Sequence, residues 1–483
     1  MRLINKIFLS IATVILVSCS SVSSLVDIND STLYQEDNLW TSDNTKTSDN
    51  SDISVQWWEV FQDKQLDLVM KEFISNNYDL EISLLALDAS KSLSIINKTS
   101  LFPNISIGFG SSAMQTNNKG TQFDNIEIPA PGGETIEFAE TSISENYKFN
   151  ISSQWEVDLW GKMRSKNISS NKNIESQKND FNYFRLSIIS QAVKMYFSVV
   201  QLNEQVALSK ALVTSNQEVF NIVEDRYNKG IGASLLDYRL SKSNLLISRA
   251  SLEQSKMSLD GYKRQLESLV GRYPSGQIKV GDSLSSILPS IPGSIPSEVI
   301  ENRPDILASY NKVETAAYEL GYAKKLKFPS FSLTNSIGTS SGDLYDIING
   351  DALVWSIVGN ALMPIFQNGK VKENEKFAQT MYEKAKVEYY DTLTKSFLEI
   401  ENKLALDEML NTQVILLIEA LEESEKTYDL AKERYNKGLI DLVTVIDTQK
   451  RMFDTRSRMI LARKSLIENR IDLLICLGGK ISA

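Results

Sequence analysis

Two hydrophobic periods alternate along this chain. From Leu66 the apolar positions Val69, Phe73, Leu80, Leu84, Leu87 and Leu93 predict one helix or two short ones ending before Pro103. After Pro103 the period drops to two. Ile105, Ile107 and Phe109 alternate with Ser106, Gly108 and Gly110, a strand over about 104–112 with one apolar face. Tyr147, Phe149, Ile151, Trp155, Val157 and Leu159 alternate in the same way and predict a strand over about 146–160, ended by Gly161. The Gly-, Pro- and Asn-rich stretch from Gln115 to about Glu145, with Pro131-Gly132-Gly133, reads as a long loop between them. Residues 162–228 then contain neither proline nor glycine. As one helix they would run roughly 100 Å, and the near-heptad stripe Leu186, Ile189, Val193, Phe197 and Val200 predicts packing along other helices. The start of this run, Lys162 to Asp180, is polar and is expected to face water on most sides. Gly230 to Gly232 stop it, and a second helix over 234–270 returns antiparallel.

The plan then recurs: a helix from Arg303 to Leu326, strands over about 330–339 and 353–366 around a loop at 340–351, and helices over 370–436 and 443–477. Arg226-Tyr227-Asn228-Lys229-Gly230 and Arg434-Tyr435-Asn436-Lys437-Gly438 are identical and 208 residues apart. The same offset carries Gly161-Lys162 onto Gly369-Lys370 and Gly271 onto Gly479. Upstream, Tyr78-Asp79-Leu80 answers Pro304-Asp305-Ile306, and Phe102-Pro103 answers Phe328-Pro329, both at an offset of 226, so the first copy carries 18 extra residues between Phe102 and Gly161. The chain is a tandem duplication: a first repeat over 56–271, a proline-rich connector over 272–298 and a second repeat over 299–483.

Composition narrows the chemistry. With 42% apolar and 23% charged residues the body is an ordered protein rather than a bundle of membrane helices. It has no histidine, and its two cysteines, Cys19 and Cys476, are far apart, so neither a disulfide framework nor a cysteine-rich zinc site is available. The net charge of −10, with no basic stretch, argues against a nucleic-acid partner. Cys476, in the last helix, reads as an inert buried thiol. No nucleophile elbow, phosphate loop or metal cluster suggests an enzyme. At the start, Arg2 and Lys6 precede an apolar run from Ile7 to Leu16, which reads as a signal peptide over 1–18. Leu16-Val17-Ser18-Cys19 looks like a bacterial lipobox, with Cys19 acylated, and residues 19–55 read as a solvated, lipidated tether.

Each chain thus offers four amphipathic strands close to the length that spans a bilayer when tilted. Four strands cannot close on themselves, and an open edge in lipid leaves backbone groups unpaired. Placed in a membrane, they require two, three or four copies of the chain. Tyr147, Trp155, Trp160 and Trp355 at strand ends suit a membrane interface. A soluble sheet packed on the helices, in a lipid-anchored coiled-coil scaffold without a pore, is the rival reading.

Several motifs resemble the TolC-like outer-membrane factors of tripartite efflux systems, lipoprotein branch: Trp57-Trp58-Glu59 to Leu66, Asn77-Tyr78-Asp79-Leu80, Trp155-Glu156-Val157-Asp158-Leu159-Trp160-Gly161, Pro289 through Pro296 to Arg303-Pro304-Asp305-Ile306, and the two Arg-Tyr-x-x-Gly tips. The resemblance implies a mainly α protein with a transmembrane β-barrel: a homotrimer whose twelve-stranded barrel is continuous with a periplasmic α-helical tube. It further implies export of small molecules received from a proton-driven inner-membrane transporter through a periplasmic membrane-fusion adaptor. A protein-secretion duct would share this architecture. By the same resemblance, Arg226, Tyr227, Lys229, Gly230, Arg434, Tyr435, Lys437 and Gly438 are expected to contact the adaptor. Asp447, Thr444 and Asp237 are expected at the periplasmic gate, with Thr444 standing where the family often has an acid and Asp237 uncertain in register by one residue.

Overall fold

In the computed structural model the described residues are 56–117, 127–129, 135–137, 141–289, 302–349 and 352–478. The segments 1–18 and 19–55, Pro131-Gly132-Gly133, connector residues 290–298 and Gly479 lie outside them. A 3-10 turn at Trp57–Phe61 is followed by α1 Lys64–Asn76, α2 Tyr78–Thr99, β1 Asn104–Asn117, β2 Glu127–Pro129, β3 Thr135–Glu137, β4 Thr141–Val157, α3 Lys162–Asn228 and α4 Leu235–Leu269. After the connector come α5 Pro304–Lys325, β5 Ser330–Ser341, α6 Leu344–Asn349, β6 Leu353–Leu362, α7 Lys370–Asn436 and α8 Leu442–Cys476.

Several boundaries differ from the sequence reading, each for a local reason. Strands β1 and β4 run on into the expected loop, pairing as far as Asn117 with Thr141, because the ladder is a backbone structure that polar side chains do not end. Strand β4 stops at Val157, short of 160, since the Asp158 carboxylate already accepts the Arg164 N–H in the first turn of α3 at 2.8 Å. Strand β6 stops at Leu362, two residues before Pro364. The short helix α6 occupies the expected loop at 340–351. Helices α4 and α8 begin at Leu235 and Leu442, because Ser234 and Asp441 are their N-caps.

The chain forms two compact units that cut across the sequence repeats, each drawing on both copies. The first comprises Ser90–Ile174 and Lys312–Ala385. Its four-stranded antiparallel sheet has the order β1-β4-β5-β6, so β1 and β6 are edges. The register aligns like with like. Ile107, Ile151, Ile337 and Trp355 form one row across the sheet, and Phe109, Phe149, Thr339 and Leu353 the next on the same face. On the opposite face Ser106, Ser152, Ser336 and Ser356 form a row of four serines, joined by hydroxyl bonds of 2.8 Å (Ser106 with Ser152) and 3.0 Å (Ser336 with Ser356). In the same unit the start of α3 is not water-facing as its polarity suggested. Ser165 and Ser169 are buried, Ser169 donating to Glu319 at 2.9 Å and Lys325 donating to Ser165 at 2.7 Å. Small side chains there let the helix lie against α5, a surface that hydrophobic counting does not register.

The second unit comprises Glu175–Asn311 and Lys386–Ala483 with the segment up to Ala89. Its core joins Trp57, Trp58, Phe61, Met70 and Phe73 to Tyr196 and Phe197 of α3, and reaches Ile460, Ile467, Ile471 and Leu474 of α8. Buried Asn77 caps α2 through its Oδ1, which accepts the Leu80 N–H at 2.9 Å, while its amide donates to the Leu269 carbonyl at 2.8 Å. Arg303 is buried, its guanidinium forked onto Asp305 and donating also to Glu399 and to the Cys476 carbonyl.

Candidate functional site

Both identical pentapeptides close long helices with the same Schellman turn. Gly230 (φ 69°) and Gly438 (φ 73°) take the left-handed position that a side chain would strain. Ile231 N–H donates to the Arg226 carbonyl at 2.9 Å, and Leu439 N–H to the Arg434 carbonyl at 3.0 Å. Lys229 pairs with Asp225 at 2.7 Å and Lys437 with Glu433, both on exposed helix ends. The two motifs nevertheless occupy different surroundings. Arg226 crosses to the second tip, donating to the Tyr435 and Asn436 carbonyls at 3.3 and 3.1 Å, with its guanidinium 4.6 Å from the Tyr435 ring centre. Tyr435 is buried, and that burial pushes its phenol up. Arg434 is exposed. Tyr227 stacks on Tyr238 with ring centres 5.3 Å apart.

The return from each tip differs by one residue. Helix α7 repeats α3 at an offset of 208, but α8 repeats α4 at 207, and left-handed Gly478 stands 207 residues after left-handed Gly271, while Gly479 lies outside the described residues. That settles the register of the expected gate residues: Asp237 corresponds to Thr444, and Asp447 corresponds to Leu240. Asp237 is committed to a capping box, its carboxylate accepting from the Ser234 N–H at 2.8 Å while the Ser234 hydroxyl accepts from the Asp237 N–H. In the second tip acid and hydroxyl have exchanged places. Asp441 is the N-cap, and Thr444 donates to it through N–H and hydroxyl at 2.8 and 2.6 Å. These bonds, the hydroxyl's first, hold the Asp441 carboxyl below its ordinary value. Sequence reading missed Asp441, although Asp-x-x-Thr is a recognisable cap. Asp447 is exposed and accepts from the Arg451 guanidinium at 2.8 Å, one turn away on α8. Among the described residues no cluster of acids or cysteines could hold a metal ion, and no helix is long and apolar enough to cross a membrane.

The model of the family described as outer membrane efflux protein matches residues 69–272 and 295–479. The chain belongs to the outer membrane efflux protein family. It is 22% identical over 426 residues to the cation efflux system protein CusC of Escherichia coli, covering 88% of each chain. It is 24% identical to the solvent efflux pump outer membrane protein SrpC of Pseudomonas putida, covering 87% of this chain and 86% of that one. Among solved structures, the CmeC outer membrane channel of Campylobacter jejuni is 25% identical, with a TM-score of 0.81 and 90% of each chain covered. This outer membrane efflux protein therefore has the fold of trimeric channels that combine a β-barrel with a helical tube. It acts as the outer-membrane exit of a tripartite efflux system and not as an enzyme. Within the described residues β1 and β6 are the two edges of the sheet, each paired on one side only.

Proposed function

We propose that three copies form a twelve-stranded duct for small molecules, anchored by acylated Cys19, with its two kinds of helical tip seated on a periplasmic adaptor. One observation carries the reading: a sheet with an apolar face, a serine-rich face and two unpaired edges. The apolar rows meet lipid and the serine row faces the lumen, where hydroxyls offer hydrogen bonds without a fixed charge. Such a lining suits solutes of varied chemistry, while the inner-membrane transporter makes the selection. Arg226, Tyr227, Lys229, Gly230, Arg434, Tyr435, Lys437 and Gly438 form the seats, and Asp447, Thr444 and Asp237 lie within the first two turns after them, near the inner mouth.

The deciding experiment is a planar-bilayer recording of the purified full-length protein. Heat-resistant trimers with discrete conductance steps are expected; a monomer that conducts nothing defeats the proposal. Acylation has a separate readout, because Cys476 is then the sole free thiol after unfolding, whereas two free thiols mean an unmodified Cys19.

A further inference from the structure

One end of the β1-β4-β5-β6 sheet, where Val157 pairs with Phe331 and Ser330 with Leu362, combines exposed apolar side chains with cations that have no partner. Ile365 and Phe366, between β6 and α7, are 93% and 82% exposed. Exposed Trp160 and Phe328 are fixed against each other with ring centres 5.3 Å apart, and the Trp160 indole donates to the Pro329 carbonyl at 2.8 Å. Exposed Lys327 lies 5.9 Å from the Phe328 ring centre. The other cations stand where a helix disfavours them, because the backbone dipole is positive at a helix start. Helices α4 and α8, in the second unit, follow that rule with Asp237 and Asp441. The two helices that leave the sheet break it. Helix α3 has no acid in its first turn and opens on Lys162, Met163 and Arg164, and α7 opens on Lys370, Val371 and Lys372, ahead of Glu373. Lys162 is paired with Glu156 at 2.6 Å, but exposed Arg164, Lys370 and Lys372 form no ion pair among the described residues. Over residues 156–166, 319–327 and 370–376 cations outnumber acids, although the whole chain carries a net charge of −10. Toward the opposite end of the sheet the described residues include the acids Glu145, Asp343 and Asp346, with Lys148 the cation nearest them in the ladder.

We infer that this end of the sheet selects anionic phospholipid: Arg164, Lys327, Lys370 and Lys372 hold phosphodiester headgroups of net negative charge, and the apolar side chains beside them enter the boundary between headgroups and acyl chains. Each part suits that partner. An aromatic ring with a polar edge, as in Trp160, favours the headgroup level of a bilayer. Long basic side chains lay their stems along apolar surface while the charged ends reach phosphate. An anion supplied from outside also balances cations that the starts of α3 and α7 themselves disfavour, which a purely structural role would not place there. Charge separates this lipid from a zwitterionic one, because each Lys or Arg near an anionic surface is worth a factor of about five in binding.

The inference rests on the proposed placement of the sheet in a membrane, and the test separates the two. The full-length protein is reconstituted into vesicles of equal phosphatidylglycerol and phosphatidylethanolamine and extracted intact in mild detergent, and the lipids it retains are identified by native mass spectrometry. Wild type should retain phosphatidylglycerol over phosphatidylethanolamine by at least about fivefold. The triple variant Arg164→Gln, Lys370→Gln, Lys372→Gln should bring that ratio close to one, whereas Lys426→Gln, which removes an exposed cation from the second unit, should leave it unchanged. Equal retention by wild type, a preference that the triple variant keeps, or a loss that Lys426→Gln shares overturns the inference alone; protein that never enters the vesicles overturns the membrane placement with it. Salt gives a reading that needs no substitution. Raising it from about 0.1 M to about 1 M shortens the screening length from about 10 Å to about 3 Å and should abolish the preference of wild type, and a preference that survives overturns the role of the four cations.

Discussion

Arg303 spends its fork on Asp305, at 3.1 and 2.9 Å, and its remaining donors on Glu399 and the Cys476 carbonyl, at 2% exposure. Removing it leaves the largely buried Asp305 carboxylate and a helix-end carbonyl without their partner. Arg303→Ala should therefore cost about 3–5 kcal/mol, with Arg303→Lys falling between it and wild type because an ammonium cannot reproduce the fork. Thermal unfolding followed by circular dichroism measures both. Beside it Cys476 is buried, and burial pushes its thiol up to about 12. It should resist maleimide in the native protein and react fully in denaturant. Glu267, at 1% exposure, responds to pH. Burial raises its pKa, but the N–H groups of Gly276, Gln277 and Ile278 and the Ser275 hydroxyl outweigh that and hold it below its ordinary 4.5. A carboxyl depressed in the folded state contributes its full stability above the unfolded value and loses it as pH falls through the folded one. The melting temperature should fall below about pH 4.5, and in Glu267→Gln this acid-dependent fall should be smaller.

At the scale of elements, the two caps allow a matched comparison. Ser234→Ala and Asp441→Ala each remove a helix N-cap and should each loosen the helix start, read as faster amide exchange in the first turns of α4 and α8. The long helices were legible because sixty-seven residues without a breaker leave few alternatives, and the tips because a left-handed turn calls for glycine at 230 and 438. The missing residue in the second tip was not legible. Ser-x-x-Asp and Asp-x-x-Thr do the same capping with acid and hydroxyl exchanged, so aligning acids by type misplaces them. Buried Ser165 and Ser169 escaped for a related reason: close approach of two helices asks for small residues, and polarity alone suggested a solvated face. The strand ends were missed because polar alternation beyond the apolar band looks like a loop while its backbone still pairs.

For the whole molecule, the place near the inner mouth proposed for Asp447 is tested through ion preference, and Asp447 is paired with Arg451 on the same helix. Asp447→Asn removes an acid and leaves a cation unbalanced in each of three copies, so cation selectivity in bilayer recordings should fall further than loss of one carboxylate implies. Arg451→Ala should move selectivity the opposite way, and selectivity unchanged in both variants would take this pair out of the conducting path.

The core that gathers Trp57, Trp58 and Phe61 also holds Ile460, Ile467 and Leu474. Ribosomes make those two groups early and late, so a core that Tyr196 and Phe197 of α3 begin to cover is completed only when nearly every codon has been read. A stop near codon 455 would delete a small fraction of the polypeptide and yet remove Ile460, Ile467, Ile471 and Leu474 from that core. Degradation of that product, rather than accumulation of a shortened folded form, is the expected fate in the cell.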